Sequence, residues 1–342
     1  MGRRLTLTLA AVVVMPAVCQ TAGQSLRIAI VDFYGLRRVP VAQVRSTLTI
    51  NVGDSVVAGD ARQAFEVESE QRLARLPGVR GAHVSLVCCD EGGVIVYVGI
   101  EENGSPMRRF RGAPRGRVRL PDDVVRAGRE FSEAQVASIR RGDTAEDVSS
   151  GHSLMHDPAA RRIQERFIDD AREVRPLRDV LRHSSDAAQR ALAGQILGYA
   201  RNKRDVIDDL AYAMTDPSDE VRNNAMRALG VIARAASAAP QPVPIPVEPF
   251  IALLDSPVWT DRNKASLALM GLSERRDPAL LAMLRNRALA PLVEMARWQS
   301  RGHATPALLI LGRIAGQRDE DVEAAWTRGD RDAVINAALK RR

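Results

Sequence analysis

DPSDEVRNNAMRALGVIARA, residues 216–235, is the stretch that decides the fold. Asp216 is placed to accept hydrogen bonds from first-turn amides, Pro217 needs no amide partner there, and Asp219 puts negative charge near the positive end of a helix. Val221, Ala225, Ala228, Leu229 and Ile232 then form one apolar stripe at helical spacing. The same grammar runs from Ser184 to Ala200 and, after Asp255-Ser256-Pro257, from Asp261 to Leu272. A glycine recurs after each apolar run, at Gly198, Gly230, Gly271 and Gly312, with spacings of 32, 41 and 41 residues. Three of these copies run on to an Arg-Asp pair: Arg204-Asp205, Arg276-Asp277 and Arg318-Asp319. Such a period, with two short amphipathic helices per unit, predicts a helical solenoid in which each pair buries its apolar face only against its neighbours. An array of this kind offers a surface for holding something rather than a pocket for chemistry.

These residues resemble HEAT repeats, whose turn-Asp, Val and Arg/Lys pattern is matched best by Asp219, Val221 and Arg222. The resemblance covers residues 174–318 as four repeats. It implies an all-α, right-handed α-α solenoid with a curved surface for protein binding. An arginine opens the second helix of three units, Arg190, Arg222 and Arg262, each with an alanine three residues on. These arginines should stack as a ladder. With Asn223 and Asn263 the ladder reads as a binding edge for an acidic partner; alternatively, each arginine bridges to an acid of the adjacent repeat, such as Asp219 or Asp261. A proline-rich insert at 238–249, with an extended stretch beginning near Ala235, interrupts the array and cannot be helical. Trp298, Arg301 and His303 lie in a long turn that ends at Pro306; they read as anchors for a partner, or, for the tryptophan, as closure of the solenoid. Residues 319–342 read as a C-terminal helical cap.

The chain has 342 residues, 45% of them hydrophobic, and a formal net charge of +7. That is material for about two or three domains at ~150 residues each. Arg3 and Arg4 precede the apolar stretch Leu5 to Val14, and Pro16 and small residues follow. Residues 1–23 therefore read as a signal peptide, with the mature protein exported to the periplasm or cell envelope. No other apolar segment approaches the ~20 residues that span a bilayer. Adjacent residues on a strand point to opposite faces, so Cys88 and Cys89 are expected as one buried and one exposed thiol, with a strained vicinal disulfide or a metal site as the alternative.

Ahead of the repeats, LRIAIVDFYGL from Leu26 is a β-rich run, Val41 to Leu48 a short helix, and Ala61 to Leu76 a second helix stopped by Pro77-Gly78. Val79 to Cys88 and Val94 to Ile100 read as strands joined by a hairpin-length turn, while NVGDSV breaks the first helix. The expectation is a small α+β domain of order β-α-α-β-β, so that the whole chain is of mixed class. Gly35, Val41 to Arg45, Gly53-Asp54, Arg72 to Val79 and Val96 to Glu101 resemble the polypeptide-transport-associated (POTRA) domain over residues 26–102. The resemblance implies a bacterial envelope domain that holds proteins, often by adding an extended segment to a sheet edge.

Residues 103–120 form an Arg-rich linker, with Arg108, Arg109, Arg111, Arg115, Arg117 and Arg119 interleaved with Gly112, Pro114 and Gly116. It reads as a strip for anionic surfaces, such as a membrane, or as a solvated connector whose arginines bridge to Asp122 and Asp123. Residues 121–173 read as a helical connecting segment, one helix to Arg140 and another opened by Asp157-Pro158. His152 and His156 lie between them, four apart, and on a helix would share a face and a metal; a capping or structural role is the alternative.

Together these features predict an exported, non-enzymatic scaffold or adaptor, without cofactor, that binds other proteins of the envelope. A repeat-based lyase or metal-dependent hydrolase using His152, His156 or His303 is the alternative, but no nucleophile elbow, phosphate loop or clustered ligand set accompanies these histidines. Polyanion or nucleic-acid binding by the Arg-rich solenoid is a second alternative, which the export signal opposes for nucleic acid.

Overall fold

The computed structural model describes residues 25–57, 60–90, 92–105, 110–238 and 243–341. The signal-peptide reading of residues 1–23, together with Arg108, Arg109, Pro240 and Pro242, lies outside them.

The first unit contains β1 (Ser25–Tyr34), α1 (Val41–Thr47), β2 (Ser55–Val57), α2 (Asp60–Leu73), β3 (Val79–Asp90) and β4 (Gly93–Glu102). Its sheet order is β2-β1-β4-β3, with β1 and β4 parallel and the other neighbours antiparallel. The segment expected only to break the helix thus carries a fourth, short strand, and the order is β-α-β-α-β-β. The cause is local: Gly53, at φ +98°, turns the chain back, its amide donating to the Ile28 carbonyl and the Ile28 amide to the Asp54 carbonyl, each at 2.8 Å. One face of the sheet packs under α1 and α2 through Val31, Val84, Val96, Val98, Val44 and Leu73. The other face presents Ile30, Tyr34, Ile95 and Tyr97, which join the core of the helical repeats. Cys88, in β3, is disulfide-bonded and not the free thiol expected.

Next come α3 (Asp122–Arg140), a two-stranded hairpin β5 (Glu146–Asp147) and β6 (Leu154–Met155), and α4 (Pro158–Asp170). Asp157 caps α4 by accepting from the amides of Ala159 and Ala160 at 3.0 and 2.9 Å. His152 and His156 flank β6 and do not share a helix, because Gly151, at φ +77°, turns the chain into that strand.

Five helix pairs follow: α5 (Val174–His183) with α6 (Ala187–Leu197), α7 (Arg204–Ala213) with α8 (Asp219–Ala238), α9 (Glu248–Leu253) with α10 (Trp259–Leu272), α11 (Pro278–Ala296) with α12 (Arg301–Ile314), and α13 (Asp319–Thr327) with α14 (Arg331–Lys340). The second helices stack on one another, α6 on α8 on α10 on α12. Gly198 and Gly312 are explained by that stacking, since a Cβ there would lie 2.7 Å from Ala228 Cβ and 2.2 Å from Val322 Cγ2 of the following unit. Gly271 has open space instead. The proline-rich stretch is shorter than read: α8 continues to Ala238, α9 takes up Pro249 in its first turn, and Val243, Ile245 and Val247 lie half-buried against the core. The long turn expected up to Pro306 is likewise short, because α12 starts at Arg301 and absorbs the proline at the expense of one helical amide.

Buried ion pairs tie each repeat to the next. Arg190 grips Asp216 with Nε and Nη2 at 2.9 and 2.8 Å, and Arg222 grips Asp261 in the same bidentate way at 2.9 Å twice. Arg262 bonds Glu294 at 2.6 Å. Asp216 is therefore an acceptor in the turn between helices, not the cap of α8, which begins at Asp219. Removing one partner leaves a buried uncompensated charge, so Arg222→Met should destabilise the protein by about 3–5 kcal/mol. Urea unfolding should show this loss, and a paired Arg222→Met, Asp261→Leu variant should recover most of it.

Candidate interaction site

The second face of the sheet is docked on the turns of the third and fourth helix pairs, and three of the side chains singled out by sequence, Arg262, Trp298 and His303, meet it there. Tyr34 donates its hydroxyl to the carbonyl of Pro257 at 2.8 Å, and its ring lies 4.5 Å from the guanidinium carbon of Arg262. The Gly35 amide donates to Glu294 Oε1 at 2.7 Å, while the other carboxylate oxygen holds Arg262. Tyr97 stacks on Trp259 at 5.3 Å, tilts against Trp298 at 4.9 Å, and its hydroxyl sits 2.7 Å from His303 Nδ1. Gln299 donates from its backbone and side-chain nitrogens to Asp32 at 2.8 and 3.1 Å. Gly99 makes the approach possible: a Cβ would fall 2.0 Å from the Pro257 oxygen.

Burial sets the electrostatics. Both tyrosine hydroxyls are pushed above the usual phenol range by loss of solvent. Burial lowers His303 to about 4, so the imidazole that meets Tyr97 is neutral. Desolvation raises Asp32 despite the opposing bonds from Gln299.

Trp298 and His303, at 2% and 3% exposure, are thus consumed inside the chain, as are Arg190, Arg222 and Arg262. Asn223 accepts from the Thr260 hydroxyl at 2.9 Å. Asn263 is buried, with its Nδ2 unbonded among the described residues. Arg301 alone of that set is exposed. His152 bonds Lys203 at 2.8 Å and lies parallel to Tyr199, whereas His156 is exposed and His303 belongs to the docking face. The three histidines form no common site, and among the described residues no group of three or more His, Cys, Asp or Glu could hold a metal.

The Arg-rich segment is not a free connector. Phe110 lies 4.0 Å from the Arg222 guanidinium carbon, Arg111 pairs with Asp216, and the Arg111 amide bonds the Thr215 carbonyl at 2.9 Å. Gly116 bridges to Ser184, and the Leu120 amide donates to Gln189 at 2.8 Å. Arg115, Arg117 and Arg119 face solvent. Sequence reasoning missed Tyr34, Tyr97, Gly99 and Trp259. The available signal was β4 itself, GVIVYVGI, a continuous apolar run that alternation would have broken had one face been wet.

A family model for HEAT repeats matches residues 174–270, in agreement with the helical repeats seen there. No curated protein matches the chain. Similar solved structures include designed proteins. A designed armadillo repeat protein is 16% identical, over 56% of this chain and 97% of that one, with a TM-score of 0.35. Another, solved with a (KR)4 peptide, is 17% identical over 65% and 98%, TM-score 0.37. Computationally designed armadillo repeat proteins for modular peptide recognition are 18% identical over 65% and 98%, TM-score 0.38.

The docking face should loosen in acid. Its His303 is held neutral down to about pH 4, against an ordinary value of 6.5, so the undocked state binds the proton more readily between those limits. Stability should therefore fall as pH drops from 6.5 to 4, with this group contributing at most about 1.4 kcal/mol per pH unit. Comparing pH-dependent denaturation of the protein with His303→Gln isolates the contribution, and tryptophan emission from Trp259 and Trp298 reports undocking directly. Gly99→Val should undock the sheet at neutral pH and shift that emission to the red.

Proposed function

We propose that this is an exported, non-enzymatic scaffold that binds other proteins of a bacterial envelope through its HEAT-repeat surface and a POTRA-like domain. The observation that carries this reading is how the polar groups of the repeats are used. The buried arginines join repeat to repeat or hold the sheet, so they serve the packing of the solenoid and not a reaction site. Repeat arrays of this construction present extended surfaces suited to macromolecules. Export rests on the signal-like order of residues 1–23.

The POTRA-like reading draws support from three turn glycines, Gly35, Gly53 and Gly78, all at positive φ. Strand addition is not open to a partner at β3, however. Its outward amides at Val84 and Leu86 are already taken by Glu70 and Glu66 of α2, each at 2.9 Å. Partner contacts are therefore assigned to the solenoid surface around Arg301 and to the Arg-rich segment. Photocrosslinkers placed at exposed positions near Arg301 in intact cells should recover envelope proteins, identified by mass spectrometry. Recovery of cytosolic proteins alone, or of none, would overturn the scaffold reading.

A further inference from the structure

We propose that Arg115, Arg117 and Arg119 form a comb that docks an extended acidic segment of another protein, with carboxylates at alternate residues. The inference rests on the protein-binding reading and names the chemistry of one partner. Its basis is the way the backbone of this segment is held.

Leu120 is buried and its amide is fixed by Gln189; the Ser185 amide donates to the Gly116 carbonyl at 2.7 Å; Arg111 is locked on Asp216 and Thr215. Gly116 is irreplaceable in that seat, since a Cβ would lie 2.4 Å from the His183 carbonyl oxygen. With the main chain clamped through a β-bridge, alternate residues point the same way. Gly116 and Leu120 are held against the repeats at Ser184 and Gln189, Val118 between them is partly exposed, and Arg115, Arg117 and Arg119 are exposed. Successive guanidinium-bearing positions are thus about 6.6 Å apart, the spacing of alternate side chains on another extended chain.

The three arginines make no ion pair with a described residue. Two neighbouring acids are engaged elsewhere: Asp123 pairs with Arg166 at 2.6 Å, and Asp186 caps α6 through the amides of Ala188 and Gln189. Beside them lies an open recess of about 250 Å³ lined by Arg117, Val118, Arg119, Ser184, Ser185 and Asp186. Its one carboxylate, Asp186, is held by the amides of Ala188 and Gln189, so the two arginines and the Ser185 hydroxyl are the groups that can meet a carboxylate-bearing chain. A planar guanidinium is also the donor best matched to a carboxylate in bidentate geometry. Because the backbone is already held, a partner binding here has only the side chains of these residues to order, in contrast to a flexible basic linker.

The test uses the full-length protein and fluorescence anisotropy with two labelled peptides of the same composition, one alternating glutamate with serine and the other carrying its glutamates in one block. The alternating peptide should bind more tightly, and added salt should weaken it. The triple variant Arg115→Gln, Arg117→Gln, Arg119→Gln should weaken it by about tenfold, as three exposed charge pairs would. Arg117→Glu alone should weaken it measurably, and unchanged melting of both variants will show that the fold is intact. Equal binding of the two peptides, or binding indifferent to the triple variant, overturns the comb. So does selective binding of phosphatidylglycerol-containing over phosphatidylethanolamine vesicles with no peptide binding. If the comb fails while crosslinking near Arg301 still recovers partners, only this inference falls; if crosslinking recovers none, the scaffold reading falls with it.

Discussion

The arginines that open the second helices hold this molecule together, and two of the three use the guanidinium twice. Its edge grips an acid of the following repeat, Asp216, Asp261 or Glu294. Its flat face is left over, and in two successive repeats an aromatic ring from the N-terminal half fills it: Phe110 on Arg222 and Tyr34 on Arg262. A lysine would supply the charge without the fork or the face. The same residues that register the repeats thereby register the sheet and the segment behind it.

That double use explains why the N-terminal domain is not an independent bead. A sheet with helices on one face and water on the other would show alternation in β4, yet both faces of that strand are apolar and covered. The aromatic cluster of Tyr34, Tyr97, Trp259 and Trp298 supplies area, and Gly99 supplies the clearance that lets backbone meet backbone. Polar anchors at Asp32, Glu294 and His303 then fix the orientation. The result is a docking face with hardly any slack for substitution.

Local features were legible in sequence, and long-range ones were not. The stripe from Val221 to Ile232, the cap at Asp157 and the recurring glycines are encoded within a turn or two of helix, so periodicity finds them. Arg222 was recognisable as a ladder residue, but its acid partner lies 39 residues away and its aromatic cover more than twice as far. Trp298 and His303 had the composition of a binding site for a partner, and the partner turned out to be another part of the same chain. Composition marks a surface that wants covering and is silent on what covers it. Gly99 and Gly116 were the overlooked clues, since a glycine within extended chain often marks a place where another backbone comes close.

The chain also lies along its solenoid in reverse. Leu120 meets the first repeat, Arg111 the second, Gly99 the third and Asp32 the fourth, so contacts span 69, 105 and finally 267 residues. Whatever is made first must wait for what is made last. The sheet can close over α1 and α2 early, but its aromatic face stays uncovered until residues 257–303 have been synthesised and folded. Non-local pairing of this kind is slow, and exposed apolar surface in the interval invites aggregation. Assembly therefore depends on the final repeats arriving promptly, and truncation near the C-terminus would be felt first at the opposite end of the chain.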